Sequence, residues 1–193
     1  MHTVLHDERL AALSLHLRSG DGDCPFVVRD PPGADVRLTH FSAGRDATYV
    51  VIQSSKLENV TIGYAPLVEG TTLIYDVTDQ TLQGKARPFD CNLHPSGQRV
   101  YALVPVQIES IHVALRGWRL NVEFHDARGE RIEAALPFHW TLSGANQQRR
   151  ASYSSTNRDG QFVRGLQPGG EEISSIAVRS LLTGREERAA INR

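Results

Sequence analysis

The sequence predicts an all-β protein: two small antiparallel β-sandwiches of immunoglobulin-like build in tandem, preceded by a short amphipathic helix. Three observations carry that expectation. Short runs alternate apolar and polar residues, the period of a half-buried strand. Gly, Pro, Asp and Asn punctuate these runs at close intervals, as sandwich turns require. The stretch Thr72–Pro105 reads as strand, turn, strand carrying Phe89, Pro-Ser-Gly turn, and a strand ending in proline, which closes one β-domain just before a second begins.

At the N-terminus, Val4, Leu10, Leu13 and Leu17 recur at helical spacing, with Asp7 able to cap and Gly20 able to terminate. Residues 1–22 are therefore expected to form a helix and turn. Met1–Gly20 lacks the continuous apolar run of a signal peptide. Either the protein is cytoplasmic or Met1 opens a piece of a longer chain. The first β-domain, 23–105, is expected to hold strands at Pro25–Arg29, Val36–Ser42, Thr48–Gln53, Asn59–Tyr64, Thr72–Val77, Phe89–Leu93 and Arg99–Val104. Val36, Leu38 and His40 share one face of the second of these. Asp76–Gln80 is read as a turn, since Asp hydrogen-bonds its local backbone.

The boundary is placed near Pro105–Gln107. The second domain, 106–193, is expected to hold strands at Ile108–Leu115, Leu120–His125, Leu136–Leu142, Ser152–Thr156, Gln161–Val163, Ile173–Leu182 and Glu187–Ile191. Gly117 breaks the first pair, Asp126–Gly129 and Asn157–Gly160 are turns, Pro168–Gly170 is a corner, and Thr183-Gly184 turns the chain into its last segment. That strand count is the one an immunoglobulin-like sandwich needs. Ser154 and Thr156 read as the polar face of an edge strand.

A formal net charge of −1 argues against nucleic acid as a partner, because a polyanion binder needs a basic face. No apolar run approaches the ~20 residues of a membrane span. Cys24 and Cys91 could pair in an oxidising compartment or remain as buried free thiols; spacing leaves both open. Neither has a second Cys or a His at zinc-ligand spacing, and Gly169-Gly170 lacks the lysine and helix of a phosphate loop, so no metal and no cofactor is expected.

His112, His125 and His139 lie on different strands and read as scattered surface or satisfied histidines. No Gly-x-Ser-x-Gly elbow accompanies Ser152, Ser154 or Ser155. Asp76 and Asp79 are turn residues, and a turn rarely desolvates a carboxylate enough for acid–base work. No catalytic residue is therefore assigned. A site at the junction of the domains would draw first on Asp76, Asp79 and His112. Trp140, with Phe138 and Leu142 on its face, reads as core. Trp118 follows a glycine at a strand edge between Arg116 and Arg119, and these three are the candidate ligand-binding residues, since an exposed ring can stack on a sugar. Arginines 149, 150, 158 and 164 read as a basic patch at one end of the second domain.

His40-Phe41, Gly44, Tyr49-Val50, Tyr75-Asp76-Val77, Gly84 and Tyr101–Pro105 together resemble the C-terminal accessory β-domain of large bacterial glycoside-hydrolase-like proteins of the beta-galactosidase type. Asp126–Gly129, Tyr153-Ser154, Asp159-Gly160 and Val178–Gly184 look like the immunoglobulin-like module that follows it. The resemblance covers nearly the whole chain through turn-and-strand signatures, and no catalytic position of those enzymes has a counterpart in it. It implies a non-catalytic module that packs on or orients a catalytic domain or partner subunit, touches glycan, and belongs to an exported or envelope protein. A free-standing carbohydrate-binding or adhesion module is the other expectation.

Overall fold

The structure, a computed structural model, describes residues 18–19, 24–31, 34–56, 58–64, 72–85, 87–93, 98–144, 149–166 and 173–190. The expected N-terminal helix and the Pro168–Gly170 corner lie outside the described residues, apart from Arg18–Ser19. Those two form a short strand and not the end of a helix. The chain is all-β and antiparallel, and it divides into two compact units, Arg18–Gln107 and Ile108–Arg193.

The first unit holds β1 (Arg18–Ser19), β2 (Phe26–Asp30), β3 (Val36–Ser42), β4 (Thr48–Ser54), β5 (Glu58–Tyr64), β6 (Leu73–Asp76), β7 (Thr81–Lys85), β8 (Phe89–Leu93) and β9 (Gln98–Val104). A six-stranded sheet runs β1-β3-β4-β9-β6-β7, and a three-stranded sheet runs β2-β5-β8. Their facing sides meet through Val50, Ile52, Ile74, Tyr101 and Leu103 from the larger sheet and Phe26, Val60, Ile62, Cys91 and Leu93 from the smaller. Phe26, Phe89 and Tyr101 pack as a trio with centroids 4.9–6.0 Å apart, the tilted and edge-on geometry aromatic quadrupoles prefer. The central strands β4 and β9 are buried on their other face too, at Tyr49, Val51, Val100, Ala102 and Val104. Burial on both faces explains their continuous apolar runs.

Cys24 and Cys91 are both free. Phe26 lies opposite Tyr64 and Cys91 opposite Val60, so four residues of β5, roughly 13 Å, already separate their rows before Cys24 is reached. A disulfide needs Cα atoms within about 7 Å. Strand β7 was not expected as a strand. Its residues, Thr-Leu-Gln-Gly-Lys, are nearly all exposed, because it is the edge of its sheet and has little to bury.

The second unit is a seven-stranded immunoglobulin-like sandwich: β10 (Ser110–Arg116), β11 (Arg119–His125), β12 (Pro137–Gly144), β13 (Arg149–Ser155), β14 (Gln161–Gly165), β15 (Ile173–Ser180) and β16 (Glu186–Ala190). One sheet is β10-β11-β14 and the other β13-β12-β15-β16, so the chain crosses between sheets three times. Leu120, Val122 and Phe124 of β11 face inward, opposite Phe138, Trp140 and Leu142 of β12 and Ile176 and Val178 of β15. Phe138 reaches between Phe124 (6.1 Å) and Phe162 (5.1 Å) of the opposite sheet. Burying a Phe side chain contributes roughly 1.5–3 kcal/mol.

Ser154 and Thr156 are buried, contrary to the exposed polar face expected of them. The reason is unpaired donors and acceptors in the core. Ser154 Oγ accepts the indole N–H of Trp140 at 3.0 Å. Thr156 Oγ1 donates to the Ala134 carbonyl (2.6 Å) and accepts from the Leu136 N–H (2.8 Å), satisfying a stretch of chain that has no ladder of its own. The Asn157–Gly160 turn is fixed by Asn157 Oδ1, which accepts from the N–H groups of Asp159 and Gln161. Gly160 has φ 78°, and a Cβ there would lie 2.0 Å from the Ile132 carbonyl oxygen. We expect Thr156→Val to cost about 2 kcal/mol, because it strands two buried backbone groups, and Thr156→Ser to keep most of the stability. Urea titration of the two variants checks this.

Candidate functional site

Two ionisable clusters among the described residues bear on function. The first is the β6–β7 turn. Asp76 Oδ1 accepts from the N–H groups of Thr78 (2.9 Å) and Asp79 (3.0 Å), as expected of a turn aspartate. Arg99 Nη1 lies 3.4 Å from Asp76 Oδ2 and also pairs with Asp79. Unlike the expectation, Asp76 is desolvated, at 3% exposure. Burial is the largest influence and pushes its carboxyl up; the N–H of Asp79 opposes this, the Asp79 charge adds to it, and Arg99 and the Thr78 N–H oppose it. An elevated folded-state value means the neutral form is favoured in the fold, so the carboxylate costs stability once pH rises through that value. Asp76→Asn, which keeps the acceptor and removes the charge, is expected to match or exceed the wild type at pH 7. Asp76→Ala should fall about 1–2 kcal/mol below it for want of that acceptor. Chemical denaturation at pH 5 and 7 checks both.

The second cluster is the outer face of β10-β11-β14. Because Leu120, Val122 and Phe124 point inward, Arg119, Asn121, Glu123 and His125 point outward. Register sets their neighbours. Arg116 pairs with Arg119, and Gly165 completes that row; Ala114, Asn121 and Val163 form the next; His112, Glu123 and Gln161 form a third. Arg116, Arg119, Ala114, Asn121, Gln161 and Val163 line a shallow depression of about 330 Å³. That lies at the lower end of the range for small-molecule sites, roughly 300–1,000 Å³.

Of the candidate binding residues, Arg116 and Arg119 line this depression and Trp118 occupies the turn beside them. Gly117 has φ 57° and is the first of two loop residues, the glycine-first geometry of a type II′ hairpin. That turn leaves Trp118 47% exposed while its carbonyl accepts from the Leu166 N–H at 2.7 Å. Trp140 is core, as expected, with Arg164 over its ring at 5.3 Å to the centroid. Arg164 is thus drawn to the indole.

Glu123 organises the far end of the face. It accepts from Gln161 Nε2 (3.2 Å) and Asn121 Nδ2 (3.4 Å), pairs with Arg131 (3.6 Å), and meets His125 Nε2 at 3.3 Å. Burial alone would raise its carboxyl, but the donors from Asn121 and His125 and the Arg131 charge outweigh it and hold the group below its usual 4.5. His125 Nδ1 lies 2.9 Å from the Gly129 carbonyl oxygen, and its ring stacks on His112 at 3.8 Å. His139 is on the other sheet, against Tyr153. Two of the three histidines are therefore brought together, which their strand assignments could not show. Among the described residues, no group of three or more His, Cys, Asp or Glu is arranged to hold a metal ion. Sequence reasoning missed Asn121, Gln161 and Glu123; their only signal was outward alternation on β11 and β14.

A depressed folded-state carboxyl makes the unfolded chain take up its proton first as pH falls. Glu123 therefore contributes stability above pH 4.5 that is lost progressively below it. Glu123→Gln should be less stable than the wild type at neutral pH and show a shallower acid limb. Urea midpoints between pH 3 and 7 check this.

No family model matches this chain, and no curated protein matches it. Among solved structures, native alpha-2-macroglobulin from Escherichia coli, in a fragment spanning domains MG0-NIE-MG1, aligns with 96% of this chain and 100% of that chain. The identity is 8% and the TM-score 0.31, a likeness too low to carry functional argument. None of these comparisons matches the beta-galactosidase-type resemblance. The class they leave in place is the one the strands define: an all-β protein of antiparallel sandwiches. Among the described residues, no helix is long and apolar enough to cross a membrane.

Proposed function

We propose that this chain is a non-catalytic accessory module that holds a saccharide on the outer face of β10-β11-β14. One observation carries the reading: Arg116 and Arg119 meet at one end of a depression that also presents two amides and two small apolar side chains, and the exposed Trp118 lies in the turn that joins them. Saccharide recognition needs that mixture, a flat apolar surface for C–H faces and fixed polar groups for hydroxyls. The carboxylates support a non-catalytic role. Asp76, Glu123 and Asp126 each direct their oxygens to local N–H groups or cations, which makes them holders of turns and side chains.

In a larger assembly the module would orient a catalytic body toward glycan, as its sequence resemblance implied. The same depression favours a second reading, a free-standing carbohydrate-binding or adhesion module, because it needs no other body to form.

Calorimetric titration with a panel of neutral and acidic oligosaccharides tests the proposal. Trp118→Ala is expected to weaken binding about tenfold, or ~1.4 kcal/mol, with an unchanged melting temperature. Unaltered affinity in that variant would overturn the proposal. So would turnover of aryl-glycosides that a single carboxylate substitution abolishes.

A further inference from the structure

Arg116 and Arg119 form a directly opposed cross-strand pair at the hairpin end. Cβ atoms in such a pair stand about 5 Å apart, and like charges placed there repel. Both side chains are exposed, and neither has an ion-pair partner among the described residues. Beside them in the row lies Gly165, where a Cβ would meet nothing within 4 Å. Two cations thus border an open place on the sheet.

The chemistry of the next rows follows from Glu123. A carboxylate only accepts hydrogen bonds, so Asn121 and Gln161 must turn their NH₂ groups toward it. Asn121 Oδ1 is buried and has no partner among the described residues, so the half-buried Gln161 is the amide left to meet a ligand. The face therefore offers cations in one row, Ala114 and Val163 flanking Asn121 in the next, and the Gln161 amide in the third. A ligand fitting this order carries an anion at one position, hydroxyl donors a few ångströms away, and an apolar face between.

We propose that the ligand of this face is an acidic saccharide, a uronic acid residue whose planar carboxylate is taken by the Arg116–Arg119 pair and whose hydroxyls donate to Gln161. The inference rests on the saccharide-binding reading above and adds the charge and direction of the ligand. Guanidinium groups suit a carboxylate because their N–H fork matches its two oxygens. Glu123 is a positioning residue: it fixes the amides and does not touch the sugar.

The test uses the whole chain, with oligogalacturonate, the neutral galactose oligomer of equal length and oligoglutamate as probes in calorimetric titration. We expect oligogalacturonate to bind at least tenfold more tightly than the other two. Arg116→Gln and Arg119→Gln should each lower that affinity tenfold or more, while melting at or above the wild-type temperature because the repulsion is relieved. A lower melting temperature would show the pair to be partnered and overturn the inference. Gly165→Leu, which fills the open place without altering charge, should also abolish binding. Glu123→Gln removes a negative charge near the anion, so electrostatics alone would tighten binding; weaker binding supports the positioning role, and tighter binding overturns it. Equal binding of the neutral and acidic oligomers, insensitive to either arginine, overturns this inference and leaves the saccharide-binding reading standing. Preference for oligoglutamate overturns it in favour of an acidic peptide. No binding of either saccharide overturns both.

Discussion

Phe138 sits between Phe124 and Phe162, and the seating of that ring decides which side of β11 faces water. A strand has only two faces, so once Leu120, Val122 and Phe124 are committed to the core, Arg119, Asn121, Glu123 and His125 are committed to the outside. A slip of one residue would put Glu123 and His125 into the core and three apolar side chains into water, at a cost of several kcal/mol. The register of β11 against both neighbours then fixes every row of the outer face. The candidate site is thus a by-product of core packing. No loop has to be ordered to create it, and its two cations are brought together by a two-residue turn.

The same economy governs the buried polar groups. Ser154, Thr156 and Asp76 are interior, and each answers a specific unpaired group: an indole N–H, a carbonyl and an N–H in an unladdered segment, and two turn N–H groups. Leaving such groups unpaired costs about 1–3 kcal/mol each. For the two hydroxyls the arrangement is close to ideal, because a hydroxyl can donate and accept at once. For Asp76 it is a compromise, since the turn needs the acceptor and the carboxylate dislikes its burial.

Much of this architecture was legible in the sequence, and the failures have physical causes. Val36–Ser42 and Phe89–Leu93 were readable because alternation or a bounded apolar run is what a half-buried strand produces. Strand β7 was not, because an edge strand with Leu82 exposed buries too little to leave a pattern. Ser154 and Thr156 were misplaced because polarity was taken for exposure, while their partners lie 14 and 20 to 22 positions away in the chain. Trp118, Arg116 and Arg119 stood out through the Gly117 turn. Asn121 and Gln161, 40 positions apart in sequence, could not be joined to them without the β11–β14 register.

That difference bears on how binding surfaces arise on sandwiches. Two opposed arginines on a hairpin are a poor choice for stability, since almost any neutral pair would remove the repulsion. The polar network around Glu123 differs, since it stabilises the fold above pH 4.5 while it fixes two amide side chains. Both features sit on one sheet, within adjoining rows, and around the same depression. Stability accounts for that network but not for the opposed arginines, whose repulsion the proposed anionic ligand would relieve. Departures from local electrostatic preference are expected at functional sites, and the opposed arginines on the outer face of β10-β11-β14 are one such departure.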